Sequence, residues 1–185
     1  MLLKLQKCVL GLDISTSITG ATLLDLDGNI LLCEAWDMRN KNHFHSLYDK
    51  AGFIEAKLNE IKLKKNIIVE EIYIEQSLHS FKSGFSSAQV LSTLSRFNGI
   101  VSWISFSTFN KCPILIAATS ARKQCGIKIQ KGTKAKEQVL QYILDNIPDI
   151  AIQYTKHGNP KPGSYDRADS WVIAKAGLEL WKQKK

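Results

Sequence analysis

A chain of 185 residues, 44% hydrophobic and 23% charged, is long enough for a real core, and one globular domain over 1–185 is expected. This composition excludes a disordered or fibrous chain, and no run approaches the ~18 apolar residues of a transmembrane helix. With 25 Lys and Arg against 17 Asp and Glu, the net charge of +8 points to a polyanionic partner, nucleic acid above all.

The opening MLLKLQKCVLGLD reaches Asp13 before a signal-peptide core or cleavage site could be completed, so a cytoplasmic protein is expected. Residues 8–12, CVLGL, read as a central strand buried on both faces and ending at Asp13. A small polar turn over Ser15, Thr16 and Ser17 follows. GATLLDLDGNILLCEAWD then reads as a hairpin about Asp27-Gly28-Asn29, which completes a three-stranded antiparallel meander. Residues 44–65 carry helical periodicity, with Leu47, Ala51, Ile54, Leu58 and Ile61 at steps of three and four.

IIVEEIYIEQ is the next strand and closes on Glu75. After the polar stretch SLHSFKSGF, a long helix is predicted over 86–107. Its apolar stripe is Val90, Leu94, Phe97, Val101 and Ile104, suited to a core or a dimer seam. A short fifth strand is expected over 113–117, a short helix from Ser120, and an amphipathic helix over 134–146. The Pro- and Gly-containing loop 157–164 precedes a last helix from Asp166 to Trp181, with Ser164 as its expected cap. Meander first, alternating helix and strand after, means an α/β fold with a mixed sheet and helices on both faces.

Cys8, Cys33, Cys112 and Cys125 lack CxxC spacing and a following His pair, so no zinc site is expected. The first three lie in or beside apolar runs and read as free buried thiols in a reducing compartment. His79 and His157 fall in loops and read as solvent-exposed. Trp171 and Trp181 read as helix-core aromatics.

Four acids carry the chemistry. Asp13 and Glu75 end strands, and Asp166 and Asp169 are spaced i, i+3 on one helical face. Glu75, at the end of a central strand, is the hardest to explain structurally; the others have structural alternatives. Asp13 could cap its own turn, and the helical pair could complement a helix dipole. As a set they favour hard cations such as Mg²⁺, because neighbouring carboxylates repel one another unless a positive charge sits between them. Arg122, Lys123, Lys128, Lys131, Lys134 and Lys136 crowd one stretch, as a phosphate-binding surface would.

LGLDISTSITG, then IYIEQ, then a late DRAD resembles the RuvC-type Holliday-junction resolvases of the ribonuclease H-like superfamily, in its phage or bacterial branch. KGTKAKEQVLQYI resembles the lysine-bearing helix of that family. The resemblance implies a five-stranded ribonuclease H-like sheet and a homodimeric endonuclease that resolves four-way DNA junctions. It implies two Mg²⁺ ions per site, with Mn²⁺ as substitute, held by Asp13, Glu75, Asp166 and Asp169. Lys136 matches the functional lysine of the family, with Lys134 the near alternative, and Lys123 matches a second one. In the family the segment after the Glu carries an apolar wedge for the junction. Leu78, Phe81 and Phe85 are candidates here, with Lys82 among them as a DNA contact. A nuclease of the same fold acting on other branched or less specific DNA is the alternative. The first motif also resembles the phosphate-binding turn of sugar kinases, but Ser15 replaces its Gly and no second Gly-rich loop follows.

Overall fold

The computed structural model describes residues 5–76 and 88–184. Leu78, His79, Phe81, Lys82 and Phe85 lie outside the described residues, and so does the wedge expected of that segment. The five strands follow the sequence reading closely: β1 (Gln6–Asp13), β2 (Ile18–Asp25), β3 (Ile30–Asp37), β4 (Ile67–Glu75) and β5 (Ile114–Ile116). They form one sheet in the order β3-β2-β1-β4-β5. β1 runs antiparallel to β2, β2 antiparallel to β3, and β4 lies parallel to both β1 and β5. β1 is therefore central, and its run from Cys8 to Leu12 is buried on both faces. The hairpin turn is held by the Asp25 carboxylate, which accepts from the backbone N–H groups of Asp27 and Asn29 at 3.0 and 2.8 Å.

Side chains alternate across the sheet and divide the core in two. On one face Leu10, Leu12, Ile72 and Ile74 pack with α1 (Leu47–Lys62) and α2 (Ala88–Phe109) through Ile54, Leu58, Phe97 and Val101. On the other, Val9 and Tyr73 pack with α3 (Ala118–Gln124), α4 (Ala135–Asn146) and α5 (Ser164–Gln183) through Ala121, Val139, Ile143, Trp171 and Val172. α1 opens with a reciprocal Ser46–Asp49 capping box. Among the described residues no helix is long and apolar enough to cross a membrane.

α5 lies unusually close to the sheet because glycines face it. A Cβ on Gly11 would come within 2.7 Å of the Ala174 Cβ, and one on Gly20 would overlap the Asp166 carbonyl. Gly177 admits the buried Tyr73 ring in the same way. A buried hydroxyl contact of 2.8 Å between Thr22 and Ser170 fastens helix to sheet between these points.

Two local expectations fail, and a third holds only in part. Ser164 does not cap α5. Gly163, at φ 90°, takes the N-cap position, and Ser164 becomes the first helical residue, buried with its Oγ unpartnered. The reason is space: a Cβ on Gly163 would lie 2.7 Å from the Ala35 side chain, so the chain turns into the helix one residue early. Cys112 is exposed, because it falls in the link between α2 and β5 and not in either element. The stripe of α2 holds in its second half, where Phe97 and Val101 are buried and Ile104 packs against the same core, and fails at its start, where Val90 is 54% exposed; Asn98, Ser105 and Thr108 join the buried face. Trp171 is buried and Trp181 packs partly against the same cluster.

Candidate active site

Two strand ends and one helix build the site. Asp13 closes β1 and Glu75 closes β4, and the parallel register pairs Leu12 with Ile74. The two acids are thus neighbours at the same edge. Each lies two residues beyond a position that packs on α5, Gly11 and Tyr73 respectively, so by the alternation of strands both carboxyl groups face α5. The first turns of α5 supply Asp166 and Asp169 from one helical face. Gly20 sets the depth, because only a missing side chain lets the Asp166 carbonyl come down onto β2.

The electrostatics record how close the groups are. Burial, then the charges of Glu75 and Asp169, push the Asp13 carboxyl well above its ordinary range. Burial and then Asp169 push Glu75 from 4.5 up to about 7. Asp166 and Asp169 are raised as well, by burial first. The main relief is Lys136, whose Nζ reaches in from the exposed start of α4 to 3.5 Å from Asp169 Oδ2. Desolvation works against its charge, but Asp169, Asp13, Asp166 and Glu75 together outweigh that and hold its ammonium above the ordinary value. Arg122 draws Glu75 and Asp169 down from the α3 side.

Of the residues expected from the sequence, Asp13, Glu75, Asp166, Asp169 and Lys136 come together, with Arg122 beside them. Lys134 does not join them; it pairs with Glu137 at 3.0 Å on the surface. Lys123 and Lys131 are exposed. His157 is exposed.

The sequence reading missed two features. Asn98 of α2 is buried, and its side-chain amide donates to the Glu75 carbonyl at 3.0 Å, holding the end of β4 in place. A polar residue beside Phe97 and one turn from Val101 on the core side of an apolar helix was the available signal. Arg39, paired with Asp37 through an Nε–Oδ1 bond of 2.8 Å, lies near enough to Asp166 to lower its pKa, and nothing in the local sequence pattern announced that.

The donor set is hard oxygen only, half relieved by Lys136 and Arg122, and so suits a hard divalent cation. Among the described residues no three His, Cys, Asp or Glu side chains are already gathered as a coordination sphere. Mg²⁺ does not need one: it takes one or two carboxylates per ion and keeps water or phosphate oxygens for the rest.

No family model matches the chain, and no curated protein matches it by sequence. Solved structures do. The chain is similar to Thermus thermophilus RuvC in complex with a Holliday junction substrate, with TM-score 0.66 and 15% identity over 96% of each chain. It is similar to a second Thermus thermophilus RuvC structure at TM-score 0.63 and 15% identity over 96% of each chain. The yeast mitochondrial Holliday junction resolvase Ydc2 aligns with TM-score 0.61 and 14% identity over 98% of this chain and 82% of its own. What these likenesses share with the chain is the fold, the ribonuclease H-like sheet of RuvC: three antiparallel strands, then parallel ones, flanked by helices.

Proposed function

We propose that the chain, acting as one domain, is a structure-selective DNA endonuclease that resolves four-way junctions, leaving 5′-phosphate and 3′-hydroxyl ends. The observation that carries the reading is the juxtaposition of Asp13, Glu75, Asp166 and Asp169 with Lys136 on a RuvC fold. Asp13, Glu75, Asp166 and Asp169 would hold two Mg²⁺ ions, or Mn²⁺ in their place. Bound there, these ions supply Lewis-acid activation of water and of the scissile phosphate.

The protein's own groups divide the remaining work. Asp13 feels the charges of Glu75, Asp169 and Asp166 together and would be one of the carboxylates that hold the ions. Asn98 and the Gly20 contact fix Glu75 and Asp166 in position before substrate arrives. Lys136 is placed to offset charge on the phosphate as it builds up in the transition state. Arg122, Lys123, Lys131 and Lys134 hold flanking phosphates without reading sequence, so affinity falls steeply with salt.

A junction is two-fold symmetric and calls for a pair of sites, which a homodimer supplies. The outward side of α2 suits the seam. Trp103 is 66% exposed and lies tilted against Phe106, with ring centroids 5.6 Å apart. Such a protein would work in the cytoplasm of a bacterium or a phage-infected cell.

The test is to offer a synthetic four-way junction and a matched duplex with Mg²⁺, beside Asp13→Asn. Paired nicks in the junction alone, lost in the variant while binding persists, are expected. Equal cutting of duplex and junction would leave a less selective nuclease of the same fold. No cutting with either ion would overturn the catalytic reading.

A further inference from the structure

Beside the acid cluster runs a groove of about 470 Å³, between the end of α3 and the start of α4. Its lining divides cleanly. Ile127, Ile129 and Ala135 give an apolar floor, while Arg122, Lys123 and Lys128 give a cationic rim with no acid among the lining residues. Two of its lining residues link the groove to the acid cluster. Arg122 acts on Glu75 and Asp169, and Ala135 precedes Lys136, which reaches Asp169.

The groove is also preformed. Gly126, at φ 72°, follows the Cys125 cap of α3. The Gly126 N–H donates to the Lys123 carbonyl at 3.0 Å, and the Ile127 N–H to the Arg122 carbonyl at 2.9 Å. This doubly bonded helix end locks the floor residue Ile127 to the rim residue Arg122. Further along, the Gln138 side chain accepts from the Gln130 N–H at 2.8 Å and the Thr133 hydroxyl donates to the Gln130 carbonyl at 2.7 Å, so the link to α4 is tied down too.

An apolar floor under a cationic rim is complementary to a nucleotide whose base has left the stack: the ring covers aliphatic carbon, and the phosphates meet Arg and Lys. The size lies in the range of small-ligand sites. Continuous duplex resists giving up such a base, whereas a base beside a branch point has lost continuous stacking and leaves the stack at lower cost. We infer that this groove is a subsite for one unstacked nucleotide of the substrate strand, next to the scissile phosphate. Ile127 and Ile129 hold the base, and Lys123 and Lys128 its phosphates. The inference rests on the junction-nuclease reading and adds to it a site through which the base beside the cut is sensed.

Metal-free wild-type protein is titrated into four-way junctions carrying 2-aminopurine at successive positions next to the crossover. Anisotropy reports binding and fluorescence reports unstacking. One position should brighten well beyond the free junction. Ile129→Ser should remove about half or more of that brightening and weaken junction binding by about tenfold, whereas Ile129→Leu should keep both. Lys128→Gln, an exposed change that leaves the fold intact, should lower the slope of log affinity against log salt by about 1. In Mg²⁺, Ile129→Ser should redistribute the cut positions among bases without abolishing cleavage. A bound junction in which no position brightens, or brightening identical in wild type and Ile129→Ser, overturns the subsite and leaves the nuclease reading standing. Failure of the wild type to bind the junction at all overturns both.

Discussion

The acid cluster makes metal-free protein respond to pH in the direction opposite to ordinary acid denaturation. Glu75 titrates at about 7 in the fold against 4.5 ordinarily. Between those values the folded state binds more protons than the unfolded one, so stability falls as pH rises. The contribution is complete below the ordinary value and gone above about 7. For Glu75 alone it amounts to about 2 kcal/mol between about pH 5.5 and about pH 8, or about 4–8 °C in Tm for a chain of this size. Asp13, Asp166 and Asp169 are also raised and add in the same sense. Lys136 is raised too, but its loss begins only above the ordinary lysine range, outside this window. Urea melts in EDTA across that range should therefore show a declining midpoint. Mg²⁺ should restore stability at the alkaline end and do little at the acid end, where the ligands hold protons. Glu75→Gln should flatten the EDTA profile and raise stability at about pH 8. A wild-type midpoint that climbs with pH, or a Glu75→Gln profile as steep as wild type, would refute the reasoning.

Gly20→Ala places a methyl on the Asp166 carbonyl and should cost about 1–3 kcal/mol in urea melts, with junction cleavage falling further than the melt explains. Asn98→Leu leaves the Glu75 carbonyl without its side-chain donor, at a cost of about 1–3 kcal/mol; kcat should drop while junction affinity holds. Of the four thiols, exposed Cys112 alone should react rapidly with a disulfide reagent in native protein. Burial pushes Cys8 and Cys125 up to about 12 and raises Cys33, so these three should react only on unfolding. More than one fast thiol, or none, would contradict the packing.

How far the fold could be read from the sequence follows from where its information is local. β1 and β4 were legible because an apolar run that stops at an acid states both the burial of the strand and the place where it ends. The hairpin was legible because Asp25 to Asn29 is a turn whose hydrogen bonds lie within five residues. The spacing of Asp166 and Asp169 stated that they share a face, but not what that face meets. That depends on Gly11, Gly20 and Gly177, three residues scattered over the chain whose meaning is the absence of a side chain. Ser164 looked like a cap because serine is a good one. The position went to Gly163, since the approach to Ala35 left room for no other residue. Asn98 belongs to the same class. Its partner is a carbonyl 23 residues away on another element, and helix periodicity alone has no term for it. The acids of the site were thus visible one by one, as charges in poor places. The contacts that set their distances were not, because each joins residues that become neighbours only when α5 and α2 close on opposite faces of the finished sheet.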